Sequence, residues 1–226
     1  MKITPGFVRT ADGSCLMETG GTRVICTASF VPGVPDWRVG SGLGWVTAEY
    51  GMLPASTGAR KGRPGIKPDG RGVEIQRLIG RVLRGCVRFD KLGENAIYLD
   101  CDVLEADGGT RTAAINGAWV ALALAVGNSA RLGRCQASAL AGQVAAISVG
   151  IVNGRAMLDL DYAEDSSADV DMNVAMTGAG QFLEVQASSE KAAFDGPQLR
   201  QMLDLAQRGI RKLLGLQRRA LRGKDR

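Results

Sequence analysis

The sequence predicts an α+β fold made of two related halves, and three observations carry that reading. Short stretches of alternating or β-branched character, bounded by glycine-rich turns, read as strands, while longer stretches with apolar residues at helical spacing read as helices. The dipeptide Asn153-Gly154 between two apolar runs is a strong hairpin signal. The order hairpin, strand, basic or amphipathic helix occurs twice, which points to a single domain over residues 1–226 with an internal pseudo-duplication of about 1–130 and 131–226.

Taken in order, residues 13–18, 22–30 and 44–50 read as antiparallel strands, the first pair joined by the turn at Gly20-Gly21. Residues 58–71 are dense in Gly, Pro and cations with no apolar period to pack, and predict an exposed, mobile loop. From Val73 onward Ile75, Leu78, Ile79, Val82, Leu83 and Cys86 follow helical spacing, with Arg77, Arg81 and Arg84 on a more polar side. An extended run, 96–104, leads into a small-residue apolar run, 112–126, that reads as a buried helix. Residues 144–152 and 155–162 flank the Asn153-Gly154 turn. A sheet continues through 168–177 and 181–187 across Gly178-Ala179-Gly180, and 197–216 closes as an amphipathic helix. The basic tail, with Arg218, Arg219, Arg222, Lys224 and Arg226, reads as a frayed terminus or an RNA contact.

With 226 residues, 45% of them hydrophobic, the chain can bury a substantial core as one large or two small packed domains. Its longest apolar stretch, 118–126, is too short to span a bilayer, and the N-terminus lacks the apolar core of a signal peptide; the expectation is a cytoplasmic protein with no membrane partner. Five scattered cysteines with no Cys-x-x-Cys pair argue against a disulfide framework or a zinc site and are expected as small buried hydrophobes. Histidine is absent, which removes Ser-His-Asp and Cys-His triads, two-histidine ribonuclease chemistry and histidine-ligated zinc hydrolases. Catalysis must then use carboxylates, arginines, lysines or a hard metal. A net charge of +5 favours an anionic partner.

Asp107-Gly108-Gly109-Thr110-Arg111 joins the extended run to the buried helix and reads as an anion site. The glycines let backbone approach a ligand, Thr110 can supply a hydroxyl at the N-cap, first-turn NH groups point outward, and Arg111 adds a bidentate donor suited to phosphate. A plain Gly-Gly turn with a threonine cap and a solvated arginine fits the same residues. Arg71, just ahead of the helix that starts near Val73, is the natural second cation, or simply the end of a basic loop. Arg60, Lys61, Arg63 and Lys67 of that loop would track an RNA backbone. Farther on, Asp169, Asp171 and Asn173 share one strand face by period two, near Asp159, Asp161, Glu164 and Asp165. Crowded carboxylates raise one another's pKa or invite a divalent cation; the alternative is a solvated sheet face. Such a set suits phosphoryl or nucleotidyl transfer. The run 40–44 lacks the full Gly-x-Gly-x-x-Gly spacing and precedes a strand, so it is set aside as a dinucleotide loop, and no Walker A sequence is present.

These motifs, 44–54 (GWVTAEYGMLP), 74–81 (EIQRLIGR), 100–112 (DCDVLEADGGTRT) and 164–174 (EDSSADVDMNV), occur in the order found in the ribonuclease PH family, which the chain resembles over about residues 3–216. The resemblance implies a ribosomal-protein-S5-like duplicated fold related to polynucleotide phosphorylase and the exosome ring, assembled as a homohexamer, a trimer of dimers. It implies a phosphorolytic 3′-to-5′ exoribonuclease, a tRNA nucleotidyltransferase that trims tRNA precursors with inorganic phosphate, releases nucleoside diphosphates and can add nucleotides in reverse. Carried over by position, Arg71, Gly109, Thr110 and Arg111 match the phosphate site, Asp165 and Asp171 match the catalytic acids, and Arg60 and Arg63 match loop arginines associated with RNA; Asp171 would protonate the leaving 3′ oxygen or, with Asp165, hold Mg²⁺. Departures accompany the match: the family's basic N-terminal segment is missing, so the chain begins inside the first strand, Ala55 stands where an arginine usually follows Met-Leu-Pro, and the basic loop is slightly shorter. The other classes considered are a ring subunit that binds RNA without cutting it, which loss of the arginines or acids would mark, and a small-molecule kinase, which would need a glycine-rich nucleotide loop.

Overall fold

A computed structural model describes residues 1–60, 62 and 69–223. Half of the expected mobile loop, with Lys61, Arg63 and Lys67, therefore lies outside the described residues, as do Lys224 and Arg226. The first half contains β1 (Lys2–Pro5), β2 (Gly13–Thr19), β3 (Thr22–Pro32), β4 (Trp45–Met52), α1 (Gly70–Arg84), α2 (Phe89–Leu92), β5 (Asn95–Glu105) and α3 (Thr110–Arg131). The second contains β6 (Val144–Val152), β7 (Arg155–Leu158), α4 (Tyr162–Ser167), β8 (Val170–Thr177), β9 (Phe182–Ser189) and α5 (Gly196–Arg222).

The strands form a mixed sheet in the order β1-β2-β3-β5-β4 and an antiparallel sheet in the order β7-β6-β8-β9. The antiparallel expectation holds for β2 and β3 but not for β4. Strand β5 inserts beside β3, and β4 pairs parallel to it, Trp45 with Ala96 through Met52 with Val103. The cause is α1, which lies between β4 and β5 in the chain: a parallel neighbour requires a crossover, and an amphipathic helix supplies one. The turn at Asn153-Gly154 is as expected, both residues taking the positive φ, 50° and 73°, that a tight primed hairpin turn requires.

Helix α3 is the core of the molecule. It lies on β2, β3 and β5 and reaches β6 of the other sheet, and every residue from Thr112 to Leu122 is buried. By length and composition it could cross a membrane, but most of that apolar stretch is buried inside the protein. Small residues let it approach the sheet: a Cβ at Gly13 of β2 would collide with the Ala121 carbonyl and lie 2.6 Å from the Ala125 nitrogen. Asn116 stitches α3 to β6 by acting as backbone, donating to the Ala146 carbonyl at 2.8 Å and accepting from its amide at 2.9 Å. Buried peptide groups need such partners, and β7 is too short to reach this part of β6.

At the C-terminus α5 opens with an Asp195/Gln198 capping box and runs past the expected end. Residues 217–222, expected as frayed, are helical because Gln217 is fully buried and its amide donates to the Val144 carbonyl at 3.0 Å. Four cysteines are buried and Cys135 is half-buried, all of them free thiols as expected. The short α4 carries too few residues to show a period, and sequence reading passed over it.

Replacing Gly13 by Ala should lower stability by about 1–3 kcal/mol, because backbone on a buried helix cannot yield as a side chain would. Urea unfolding is the check, with the midpoint expected to fall at an unchanged slope.

Candidate active site

Strand β5 ends at Glu105, and the chain turns into α3 through Gly108 and Gly109, with φ of 74° and 57°. Neither conformation suits an L side chain, and Gly108 also lacks room for one: a Cβ there would lie 2.5 Å from the Leu160 carbonyl oxygen and 2.7 Å from the Asp161 carbonyl carbon. Buried Thr22 holds the turn from the other side, its hydroxyl donating to the Gly108 carbonyl at 2.6 Å and accepting from the Asp107 amide at 2.8 Å. Gly109, not Thr110, is the N-cap, and no side chain caps the helix, so its first-turn amides are left for a ligand. Thr110 sits instead in the first turn, where its hydroxyl accepts from the Tyr50 hydroxyl at 2.9 Å.

Among the described residues, Arg71 and Arg111 face this turn. Arg111 is mostly buried, its guanidinium donating to Gln186 Oε1 at 3.1 Å and lying 3.5 Å from Glu74 Oε1. Arg71 lies within the first turn of α1, because Asp69 caps that helix earlier than the apolar period suggested. Burial pushes the Tyr50 hydroxyl above its ordinary pKa, against the Thr110 hydrogen bond and the charges of Arg71 and Arg111. Tyr50 therefore stays a proton donor at neutral pH, holding Thr110 in place.

The acids come from the second half. Asp161 and Glu164 form a capping box that starts α4 and presents Asp165. On β8, Asp171 and Asn173 face the cleft while Met172 and Val174 enter the core, the alternation expected from period two. Asp169 departs from that pattern: it precedes β8, and its carboxylate accepts from the Gly154 amide at 3.4 Å instead. Burial, and next the charge of Asp165, raise the pKa of Asp171; Arg111 and a 3.4 Å hydrogen bond from Asn173 oppose the rise, and Glu190 adds to it. Asp171 Oδ1 is buried and has no partner among the described residues.

Arg71, Gly109, Thr110, Arg111, Asp165 and Asp171 all line one cleft of about 850 Å³. Arg60 is exposed beside Ala59, which also lines it, and Arg63 lies outside the described residues. Sequence reasoning missed Tyr50, Ser148, Tyr162, Glu190 and Lys191. Of these Ser148 had a legible signal, a lone hydroxyl in the apolar run VAAISVGIV.

The 3′ exoribonuclease family models match the chain with their domain 1 over residues 1–126 and their domain 2 over residues 142–209. The chain belongs to the ribonuclease PH family. Curated ribonuclease PH proteins of Bifidobacterium longum and Neisseria meningitidis are 54% and 53% identical to it, each over 98% of this chain and 91% and 92% of their own length. The crystal structure of rice Rrp46 aligns with TM-score 0.77 at 16% identity, over 96% of this chain and 92% of that one. An Archaeoglobus fulgidus exosome structure aligns with TM-score 0.76 at 22% identity, over 94% and 85%. These structures show the ribonuclease PH fold. As a ribonuclease PH family member the chain is a phosphorolytic 3′ exoribonuclease with inorganic phosphate as co-substrate.

Because its folded-state pKa is raised, Asp171 holds its proton more tightly folded than unfolded, so its contribution is most favourable below the ordinary value of 3.8 and is lost as pH rises through the raised value. Asp171→Asn removes that loss. In phosphate-free buffer at neutral pH the variant should melt above the parent, the gap closing as pH falls toward 3.8. Thermal unfolding across pH reads this, and an equal or lower melting temperature throughout would show that the carboxylate is not held against its burial.

Proposed function

We propose that inorganic phosphate, bound by the amides at Gly109 and Thr110 and by Arg71 and Arg111, attacks the terminal phosphodiester of an RNA 3′ end in this cleft. The observation that carries this reading is the convergence of both arginines, the glycine turn and both acids on one cleft. The arginines offset repulsion between two anions that must come within bonding distance, and they hold the nucleophile opposite the leaving group. A phosphate oxygen bonds to the phosphorus, the bond to the 3′ oxygen breaks, a nucleoside diphosphate leaves, and the RNA is one nucleotide shorter. Asp171 gives its proton to the departing 3′ oxygen; burial and Asp165 raise its pKa toward the range where an acid is useful at neutral pH. One phosphodiester is exchanged for a phosphoanhydride, so excess nucleoside diphosphate drives extension.

Asp165 and Asp171 also suit a hard divalent cation, and the unpartnered Oδ1 of Asp171 is the atom such an ion would satisfy. Mg²⁺ bound there would supply positive charge against the developing oxyanion. Among the described residues no third acid joins these two to form a larger ligand cluster.

The RNA we assign is the 3′ end of tRNA precursors, its backbone tracked by Arg60 and Arg63, in a cytoplasmic homohexamer built as a trimer of dimers. Phe182 and Val185, exposed on the edge strand β9, provide apolar surface suited to contact between subunits. The pseudo-duplicated halves act as one domain, since phosphate groups come from the first and acids from the second. A ring subunit that binds RNA without cutting it is disfavoured because the arginines and acids are all present.

With 3′-extended tRNA, Mg²⁺ and phosphate, Arg111→Ala should raise the KM for phosphate about 10- to 100-fold and leave RNA binding intact. Asp171→Asn should slow nucleoside diphosphate release by about 10²- to 10⁴-fold with phosphate still bound. Release of monophosphates without added phosphate would show hydrolysis and overturn the mechanism.

A further inference from the structure

Strand β6 is buried along its whole length, and Ser148 is the one hydroxyl within it, at 3% exposure. Among the described residues its Oγ has no hydrogen-bond partner, although the backbone around it is paired, the Ser148 carbonyl accepting from the Asp159 amide at 2.8 Å. A buried hydroxyl without a partner destabilises the unliganded fold, so its position calls for a ligand. Ser148 pairs in register with Asn173 and so shares the cleft-facing side of the sheet with Asn173 and Asp171. It lines the same cleft as Gly109, Thr110 and Arg111, and its Oγ lies 3.8 Å from where a Cβ on Gly109 would stand.

Asp171 does not use this hydroxyl. One carboxylate oxygen takes the Asn173 amide, and the other, like Ser148 Oγ, is unpartnered. The position open to Ser148 is beside Gly109, where the left-handed turn brings backbone amides to a ligand. We propose that Ser148 is a further phosphate-binding residue, its Oγ–H donating to a phosphate oxygen from the sheet side while Gly109, Thr110 and the arginines hold the others. The nucleophile is then gripped by both halves of the chain, with a neutral donor on the side nearest the acids. A cation there would pair with Asp171 and compete for its charge; a hydroxyl orients phosphate without doing so.

This inference rests on the phosphate site placed above, and its test separates the two. Steady-state phosphorolysis of 3′-extended tRNA is measured against phosphate and against RNA for the parent, Ser148→Ala, Ser148→Cys and Arg111→Ala, with melting temperatures taken with and without phosphate. Ser148→Ala should raise the KM for phosphate about 10- to 100-fold and leave the KM for RNA unchanged. Without phosphate it should melt no lower than the parent, because the deleted atom has no partner there. The gain in melting temperature on adding phosphate should shrink, and Ser148→Cys, a weaker donor of similar size, should fall between. If Arg111→Ala raises the KM for phosphate and neither Ser148 variant does, Ser148 is not a ligand and the phosphate site stands. If none of the variants raises it, both assignments are wrong. A Ser148→Ala protein that melts lower while its KM for phosphate is unchanged would mark the hydroxyl as structural and also overturn the proposal.

Discussion

Two consecutive left-handed glycines, Gly108 and Gly109, are the constraint on which the site depends. They reverse the chain between a sheet strand and the central helix in so few residues that α3 starts with its amides uncapped and facing the cleft. The turn is held from both sides, by the Thr22 hydroxyl of the first sheet and by the Leu160–Asp161 backbone of the second half. That second contact ties the turn to the acids, because Asp161 caps the helix that carries Asp165. The glycine turn and the acid helix thus share a van der Waals boundary where a side chain has no room.

Charge in the cleft is arranged with a similar economy. Arg111 is anchored by Gln186 and Glu74, so the guanidinium does not have to be ordered when an anion arrives. Asp171 is placed where burial and Asp165 work against its ionisation, while Arg111 limits the effect. An isolated solvated carboxylate would be too acidic to protonate a leaving oxygen at neutral pH, whereas one shielded from water beside a second acid is better matched. The site accepts a less stable unliganded state in return, visible in the unpartnered oxygen of Asp171 and hydroxyl of Ser148.

Positioning of those groups depends on α3, which touches both sheets. Small residues along it, and glycine at position 13, keep helix and sheet close enough that no side chain must be squeezed to carry the turn to the cleft. Asn116 then fixes α3 against β6 with a pair of hydrogen bonds, setting the distance between the glycine turn and the strand that bears Ser148. Adjacent β8 presents Asp171 and Asn173 on that side.

Much of this was legible in the sequence because it is local. Helical spacing in α1 and α5, the small-residue apolar run of α3, the Asn153-Gly154 hairpin, the glycine-threonine-arginine turn and the alternation of Asp171 with Met172 follow from chain properties acting over a few residues. The four long motifs identified the family, and with it the residues to look for. What local pattern could not show is how distant segments meet. Tertiary structure decided that β4 runs parallel to β5, that Gly109 displaces Thr110 as the cap so that Tyr50 can bind it, and that Asp169 turns away while Asp165 and Asp171 converge. It also turned Ser148 from one polar residue in an apolar run into a hydroxyl beside Gly109 in the cleft. The physical reason is that chain sterics and solvent set which groups can bond locally, whereas partners far apart in sequence are chosen by packing two sheets around one helix.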